Sequence, residues 1–258
     1  MNNYRIDFTN RHVLITAASS GLGAETAYQF ASHGASIIAI GRSSTRLAIL
    51  KQRLATVSAS SAKHRFIVQD LSAESAADSV ASDLVAFKTI PDIVVHNLGG
   101  TLKVRSFRTS IAEIEKVLWL NALFAVALNH LLLPHLFEKG SSRIIHISSI
   151  SAKSLRGSGP YAASKAYLDA YTKCLSRELA TSNILVCGVR PGAFFTENGD
   201  WADNLRERPQ MVEDFLRHHH ATGRLGTAKD IVPFVLFLAS EHSSWATGTI
   251  IDVDGGTM

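Results

Sequence analysis

Short runs of β-branched and aliphatic residues alternate with longer segments of helical period from one end of the chain to the other, and no other feature narrows the fold as much. Consecutive strands that each need a helical crossover pair in parallel, and the helices then cover both faces of the sheet. The expected strands are His12–Ala17, Ser36–Gly41, His64–Gln69, Asp92–His96, Arg143–Ser148, Ile184–Arg190 and Gly248–Val253. Helices are expected over 22–33, 45–57, 73–88, 111–137, 161–181 and 228–240. No composition shift or Pro/Gly/Ser-rich linker marks a boundary. The chain is therefore expected to be α/β, a single doubly wound domain over residues 1–258 with a seven-stranded parallel sheet and helices on both faces.

Composition excludes several classes. With 258 residues, 46% hydrophobic and 19% charged, the chain can bury a sizeable core and is not disordered throughout. Its net charge of +4 comes from scattered basic residues, so nucleic acid is not an expected partner. Cys174 and Cys187 cannot build a disulfide framework, no Cys/His grouping has metal-ligand spacing, and two free thiols fit a reducing, cytoplasmic setting. The N-terminus lacks the apolar stretch of a signal peptide. The most apolar segment, Val117–Phe137, is broken by Asn121, Asn129, His130, Pro134 and His135, and reads as a buried helix rather than a membrane span.

The first strand runs into Ala18-Ser19-Ser20-Gly21-Leu22-Gly23 and then a helix. A glycine-rich turn at that junction lets backbone approach a pyrophosphate, which then sits on the free N–H groups at the helix's positive end. Thr16-Ala17-x-x-x-Gly21-x-Gly23 resembles the Thr-Gly-x-x-x-Gly-x-Gly of the short-chain dehydrogenase/reductase family, with Ala17 in place of the first glycine. The resemblance implies a Rossmann-type fold and a nicotinamide cofactor held by Thr16, Ala18, Ser19, Ser20, Gly21, Leu22 and Gly23. After the second strand, Gly41 stands where a carboxylate would bind the ribose hydroxyls of NAD(H), and Arg42 follows with a guanidinium suited to a phosphate. NADP(H) is favoured over NAD(H), with Ser43 and Arg46 as helpers. Asp70-Leu71 is similar to the family's adenine-contacting position. His96-Asn97-Leu98-Gly99 stands for its Asn-Asn-Ala-Gly, matching at Asn97 and Gly99 only.

Tyr161 and Lys165 lie at i and i+4 on one helix face. Moving hydride between a nicotinamide and a ketone or secondary alcohol needs a proton donor or acceptor at the oxygen, and a nearby ammonium favours the phenolate that would serve. The preceding strand ends in Ser148-Ser149. Strand register selects Ser149 as the hydroxyl that would stabilise charge on the substrate oxygen, although the family's usual spacing of thirteen to the tyrosine fits Ser148, which stays the alternative. Asn121 reads as a core amide and resembles the family's catalytic Asn, which completes a tetrad of Asn121, Ser149, Tyr161 and Lys165. In the family Tyr161 and Lys165 also touch the cofactor, and Pro191-Gly192 with Thr196 would hold the nicotinamide carboxamide.

The stretch from Gly192 to Thr227 departs from the alternation, and 193–222 is expected to be a substrate-binding loop. Phe194, Phe195, Trp201, Met211 and Phe215 favour an apolar substrate body. Arg206, Arg208, Arg217 and His218-His219-His220 could draw an anion, but Asp200, Asp203, Glu207, Glu213 and Asp214 offset them, and a solvated helix face is the plainer account. Three consecutive histidines diverge by about 100° each on a helix, so they do not make a metal site. Basic residues would flank the entrance of a reductase acting on carrier-protein thioesters; Lys139 is one candidate, and carrier-protein dependence stays open. The apolar segments 111–137 and 161–181 would pair across subunits into a homodimer or homotetramer. A second reading, a dinucleotide-binding regulatory or structural protein without turnover, is motivated by Ala17, His96 and Leu98.

Overall fold

Successive side chains of a strand point to opposite faces, so a strand that is apolar at every position needs cover on both. A computed structural model describes residues 5–197 and 199–257. The first half contains β1 (His12–Ile15), α1 (Gly21–Ser32), β2 (Ser36–Gly41), α2 (Ser44–Ala55), β3 (Arg65–Val68), α3 (Ala76–Ala86) and β4 (Ile93–His96). The second contains α4 (Ile111–Leu118), α5 (Phe124–Glu138), β5 (Ser142–Ile147), α6 (Ser151–Ser154), α7 (Gly159–Glu178), β6 (Ile184–Pro191), α8 (Asp200–Glu207), α9 (Pro209–His219), α10 (Ala228–Ala239) and β7 (Ile250–Val253). The strands form one parallel sheet in the order β3-β2-β1-β4-β5-β6-β7. Val13, Ile15, Ile37 and Val95 face α1, α2 and α10 through Phe30, Leu50 and Val235. Leu14, Ile38, Val94 and Ile144 face α3, α5 and α7 through Leu84, Leu128, Leu132 and Leu175. Each fully buried aliphatic side chain contributes about 1.5–3 kcal/mol of transfer free energy to this packing.

Strand order reverses between β1 and β4, and in a doubly wound sheet the crevice at such a reversal, outside the carboxyl ends of the strands, is where ligands bind. Three differences from the expected elements bear on that crevice. β1 stops at Ile15 because Ala17 turns into the left-handed region, φ 51°. The helix expected over 111–137 is continuous from Ile111 to Glu138 but carries one π-turn at Trp119–Leu123. Asn121 sits in that turn and donates from Nδ2 to the Val117 carbonyl (2.8 Å), a side chain inserted in the helix ladder. The segment after β6 is not an open loop: it holds α8 and α9.

His96 points away from the crevice. It lies opposite His146 in the β4–β5 register, and both imidazoles are buried beneath α5 and α7. Asn129 joins them: its Oδ1 accepts from His96 Nε2 (2.7 Å) and its Nδ2 donates to His146 Nε2 (3.3 Å). His146 Nδ1 then donates to the Thr172 hydroxyl (2.8 Å), which passes its own proton to the Leu168 carbonyl (2.7 Å). An accepting Nε2 makes His146 neutral, and burial of the His96 ring, with no partner for its Nδ1 among the described residues, favours the neutral form there too. Burial, the first cause in each case, holds His96 down to about 4 and His146 well below the usual imidazole range, and the Lys165 charge adds to both. The unfolded chain takes up protons at these rings near pH 6.5 while the folded chain does not, so stability falls as pH drops from there toward 4. His96→Asn, which removes one of the titrations, should lessen the loss of unfolding free energy between about pH 7 and 5 by about 1–2 kcal/mol, measured by urea denaturation across pH.

Candidate active site

At the mouth of the crevice the Thr16 hydroxyl accepts the backbone N–H groups of Asn97 (2.9 Å) and Leu98 (3.1 Å). The Asn97 amide returns bonds to the carbonyls of Thr16 (3.2 Å) and Ala17 (3.3 Å). Thr16 and Asn97 thus bind the two turns to each other. Ala18 N–H donates to Ile40 O (2.8 Å), which ties the glycine turn to β2. A Cβ at Gly23 would strike the Ala17 carbonyl and come 2.6 Å from Asn97 Nδ2. Gly21 takes φ 54° beneath the methyl of Thr196, which brings the pyrophosphate turn beside the loop after β6. Ser20 caps α1 without a side-chain hydrogen bond, and no acid occupies the first turn, so the N–H groups there can receive an anion. Leu98 packs partly into the core and His96 sits in its buried network, so neither departure from the family motif crowds the crevice.

Gly41 is buried against Ser19, whose Cβ would be 2.7 Å from a Cβ at 41, so a carboxylate cannot take that place without displacing the turn. Arg42 is exposed, and its charge helps hold the exposed Asp70 below the usual carboxylate range, behind the larger effect of hydrogen bonds from Ser72. Ser43 caps α2 by accepting from Arg46 N (3.3 Å). Leu71 is buried and its carbonyl accepts the Trp119 indole N–H (3.1 Å). On the far side Pro191 closes β6, Gly192 lies so close to Asp254 that a Cβ would be 2.5 Å from its Cα, and the Thr196 carbonyl accepts Gly199 N–H (3.0 Å). These turns, glycines and free N–H groups form a cradle that fits an extended dinucleotide.

The candidate catalytic side chains come from three elements. Ser158 caps α7 by accepting from Tyr161 N (3.2 Å), and its own hydroxyl donates to Val104 O (2.6 Å). That cap and Pro160 in the first turn place Tyr161 at the start of the helix, where Ser149 lies close enough to the phenol to act on its acidity. Ser148, by contrast, is buried with its hydroxyl unpartnered among the described residues, so the geometry brings Ser149 to the tyrosine and leaves Ser148 out. Lys165 is 2% exposed; its Nζ donates to Ile147 O (2.8 Å) and lies 6.0 Å from the Tyr161 ring centre. Asn121 is pinned on both sides, accepting Gly100 N–H (2.9 Å) at Oδ1 and donating to Gly100 O (2.8 Å). A Cβ at Gly99 would be 2.8 Å from Asn121 Oδ1 and 3.0 Å from Lys165 Nζ, so the glycine lets all three meet. Burial lowers Lys165 to about 8, with Asp169 opposing the shift. The Tyr161 phenol is raised, chiefly by burial, while Ser149 lowers it and the Asp200 charge raises it further. The depression expected from Lys165 is not among the influences on the phenol, whose acidity is set by burial, Ser149 and Asp200.

Asp200, on the first turn of α8, accepts from the Thr101 hydroxyl (3.0 Å) and pairs with Arg105 (3.5 Å), which latches the segment after β6 to the loop after β4 across the site. Sequence reasoning counted Asp200 only as a charge offset. The loop arginines turn inward on their own helices: Arg206 pairs with Asp203, Arg217 with Glu213 (2.5 Å), and Arg208 donates to Asn204 (2.9 Å). Trp201 and Phe215 stack at 4.8 Å and hold α8 to α9, and His220 is buried beside them. Lys139 lies at the opposite, amino-terminal end of the strands, bonded to Asp92 (2.8 Å), so it does not flank the entrance.

The fold and this cradle define a dinucleotide-binding α/β enzyme, and comparison with known proteins agrees. The family profile described as enoyl-(acyl carrier protein) reductase matches residues 16–258. The chain is 31% identical over 254 residues to 3-oxoacyl-(acyl-carrier-protein) reductase FabG of Rickettsia typhi, covering 98% of this chain and 99% of that protein. Among solved structures it is similar to a 7α-hydroxysteroid dehydrogenase complexed with NADH and 7-oxo glycochenodeoxycholic acid (26% identity, TM-score 0.89, 100% and 98% of the two chains). It is likewise similar to a 3-oxoacyl-(acyl-carrier-protein) reductase from Agrobacterium tumefaciens C58 with NADP bound (26% identity, TM-score 0.90, 99% of each). The chain belongs to the short-chain dehydrogenase/reductase family, nicotinamide-dependent oxidoreductases that act on CH–OH and C=O groups. Gly23→Ala should cost about 1–3 kcal/mol of stability by overpacking and also weaken dinucleotide binding, read by denaturant unfolding and by titration of nicotinamide fluorescence.

Proposed function

We propose that the chain is an NADP(H)-dependent oxidoreductase that interconverts a ketone and a secondary alcohol within one dinucleotide-binding and catalytic domain. The observation that carries this reading is the meeting of Ser149, Tyr161 and Lys165 at the crevice beside the glycine turn. The nicotinamide, when bound, supplies or accepts the hydride. Tyr161 gives its phenolic proton to the substrate oxygen in reduction and removes it in oxidation, and the Ser149 hydroxyl donates to the same oxygen as charge develops there. Lys165, buried and held to Ile147 O, keeps a positive charge near the phenolate. Asn121, braced on Gly100, fixes the π-turn beside Lys165. Exposed Arg42, beside a position that excludes a carboxylate, favours the 2′-phosphate of NADP(H).

Around the mouth, Leu102, Phe107, Leu155 and Phe195 are exposed and suit an apolar substrate body. The inward pairing of the loop arginines argues against an anion site on that segment, and the position of Lys139 removes one support for carrier-protein docking. Half-buried Leu131 and Leu133 with exposed Phe137 on α5, and exposed Tyr167 on α7, support a homodimer or homotetramer paired through these helices. A cytoplasmic setting suits the two free cysteines.

Tyr161→Phe should lower kcat with NADPH and a ketone panel by about 10²–10⁴-fold while cofactor binding persists; turnover that survives the substitution would sink the mechanism. Arg42→Ala should weaken NADPH about tenfold more than NADH, and equal losses would refute the phosphate role. Light scattering should give a mass at least twice that of one chain.

A further inference from the structure

Lys165 is surrounded by few charges. On α7 it is flanked by Tyr161 and Asp169; from β4 and β5 come the neutral His96 and His146; from β6 comes Arg190, through Asp169; and Asp200 of α8 acts at Tyr161. Among the described residues, Asp169 is the carboxylate whose charge acts on the ammonium. It follows Lys165 by four positions, on the same face of the helix. It is 8% exposed, its Oδ2 accepts from Arg190 Nε (2.6 Å), and its Oδ1 is buried with no hydrogen-bond partner among the described residues. A half-satisfied buried carboxylate is costly unless its charge is used. Arg190 reaches on from Nη1 to Asp252 Oδ1 (2.8 Å), and Asp252 Oδ2 accepts from Lys153 Nζ (2.8 Å) on α6. The chain of ion pairs runs from the surface to the base of the site. It joins α6, which follows Ser149, to α7, which carries Tyr161 and Lys165, and to the end of β6, where Arg190 directly precedes Pro191-Gly192.

We propose that Asp169 is a positioning residue for Lys165: held by Arg190, it supplies the buried counter-charge that keeps the ammonium at the base of the site. The inference rests on Lys165 being the partner of Tyr161. Arg190 is then the moderator, since it neutralises part of the Asp169 charge and leaves the rest for the lysine. Two substitutions follow with opposite signs. Removing the carboxylate charge makes the ammonium easier to deprotonate. Removing the guanidinium leaves Asp169 fully negative and makes the ammonium harder to deprotonate.

The test is an NMR pH titration of the full-length protein labelled with ¹³C at lysine Cε, the Lys165 resonance being the one lost in Lys165→Met. Asp169→Asn should move its midpoint down by on the order of half to one pH unit, and Arg190→Gln should move it up. The pH at which kcat/KM breaks should shift in the same order. Loss of packing alone would move both variants in the same direction or neither, and either result would overturn the proposal. If Asp169→Asn does not fold, Arg190→Gln alone decides: a rise supports the counter-charge and no rise refutes it. The titration needs no substrate. Opposite shifts in a protein without Tyr161-dependent turnover would sink the reductase reading and leave the counter-charge standing, whereas turnover with an unmoved resonance would do the reverse.

Discussion

The Thr16 hydroxyl is the point on which the site depends. One oxygen accepts two backbone N–H groups from the turn after β4, while the amide of Asn97 in that turn answers with bonds to the backbone after β1. Parallel strands leave their carboxyl ends without partners, and at a reversal of strand order the two turns diverge to open a crevice. Without a cross-connection the turn after β4 would expose unpaired backbone donors, the turn after β1 unpaired carbonyls, and the two would move independently. The Thr16–Asn97 exchange satisfies those donors and fixes the width of the crevice. The glycine turn, the Gly99–Gly100 backbone that grips Asn121, and the approach to Lys165 are all referred to it.

From that reference the reactive groups are placed by elements far apart in the chain. Asn121 comes from a π-turn, Ser149 from the end of β5, Tyr161 and Lys165 from α7, and the side chains of Asn121, Ser149 and Lys165 are each bonded to backbone. Backbone anchoring of these three side chains fixes their places without their having to hold one another. Asp200 adds a link of another kind: it ties the segment after β6 to the loop after β4 and sets a negative charge near the phenol, so the closure of these two segments and the acidity of the phenol are coupled through one carboxylate.

Much of this was legible in order along the chain. Alternating strand and helix periods state the layer architecture, since each strand's apolar run is local. Motifs closed within one turn, Gly21-x-Gly23 or Tyr161 and Lys165 at i and i+4, are legible for the same reason. Element ends were less so: Ala17 departs from strand geometry by a left-handed turn that an alanine does not announce, and the π-turn at Asn121 is chosen by Gly100, some twenty positions earlier. His96 looked like a flaw in a cofactor motif, yet its partners, Asn129 and His146, lie on a helix and a neighbouring strand. Asp169 could have been found on the Lys165 helix face by spacing, but its pairing with Arg190 could not.

The sequence by itself determined the fold class, the glycine turn after β1, and the Ser, Tyr and Lys that come together at the crevice, because these follow from periodicity and from motifs shorter than a helical turn. Only the tertiary structure decided which of two adjacent serines reaches Tyr161, which charges in 193–222 are spent on their own helices, and what stands behind Lys165. Those outcomes depend on distances between residues separated by tens of positions. Packing of both sheet faces sets such distances, and no local pattern records them.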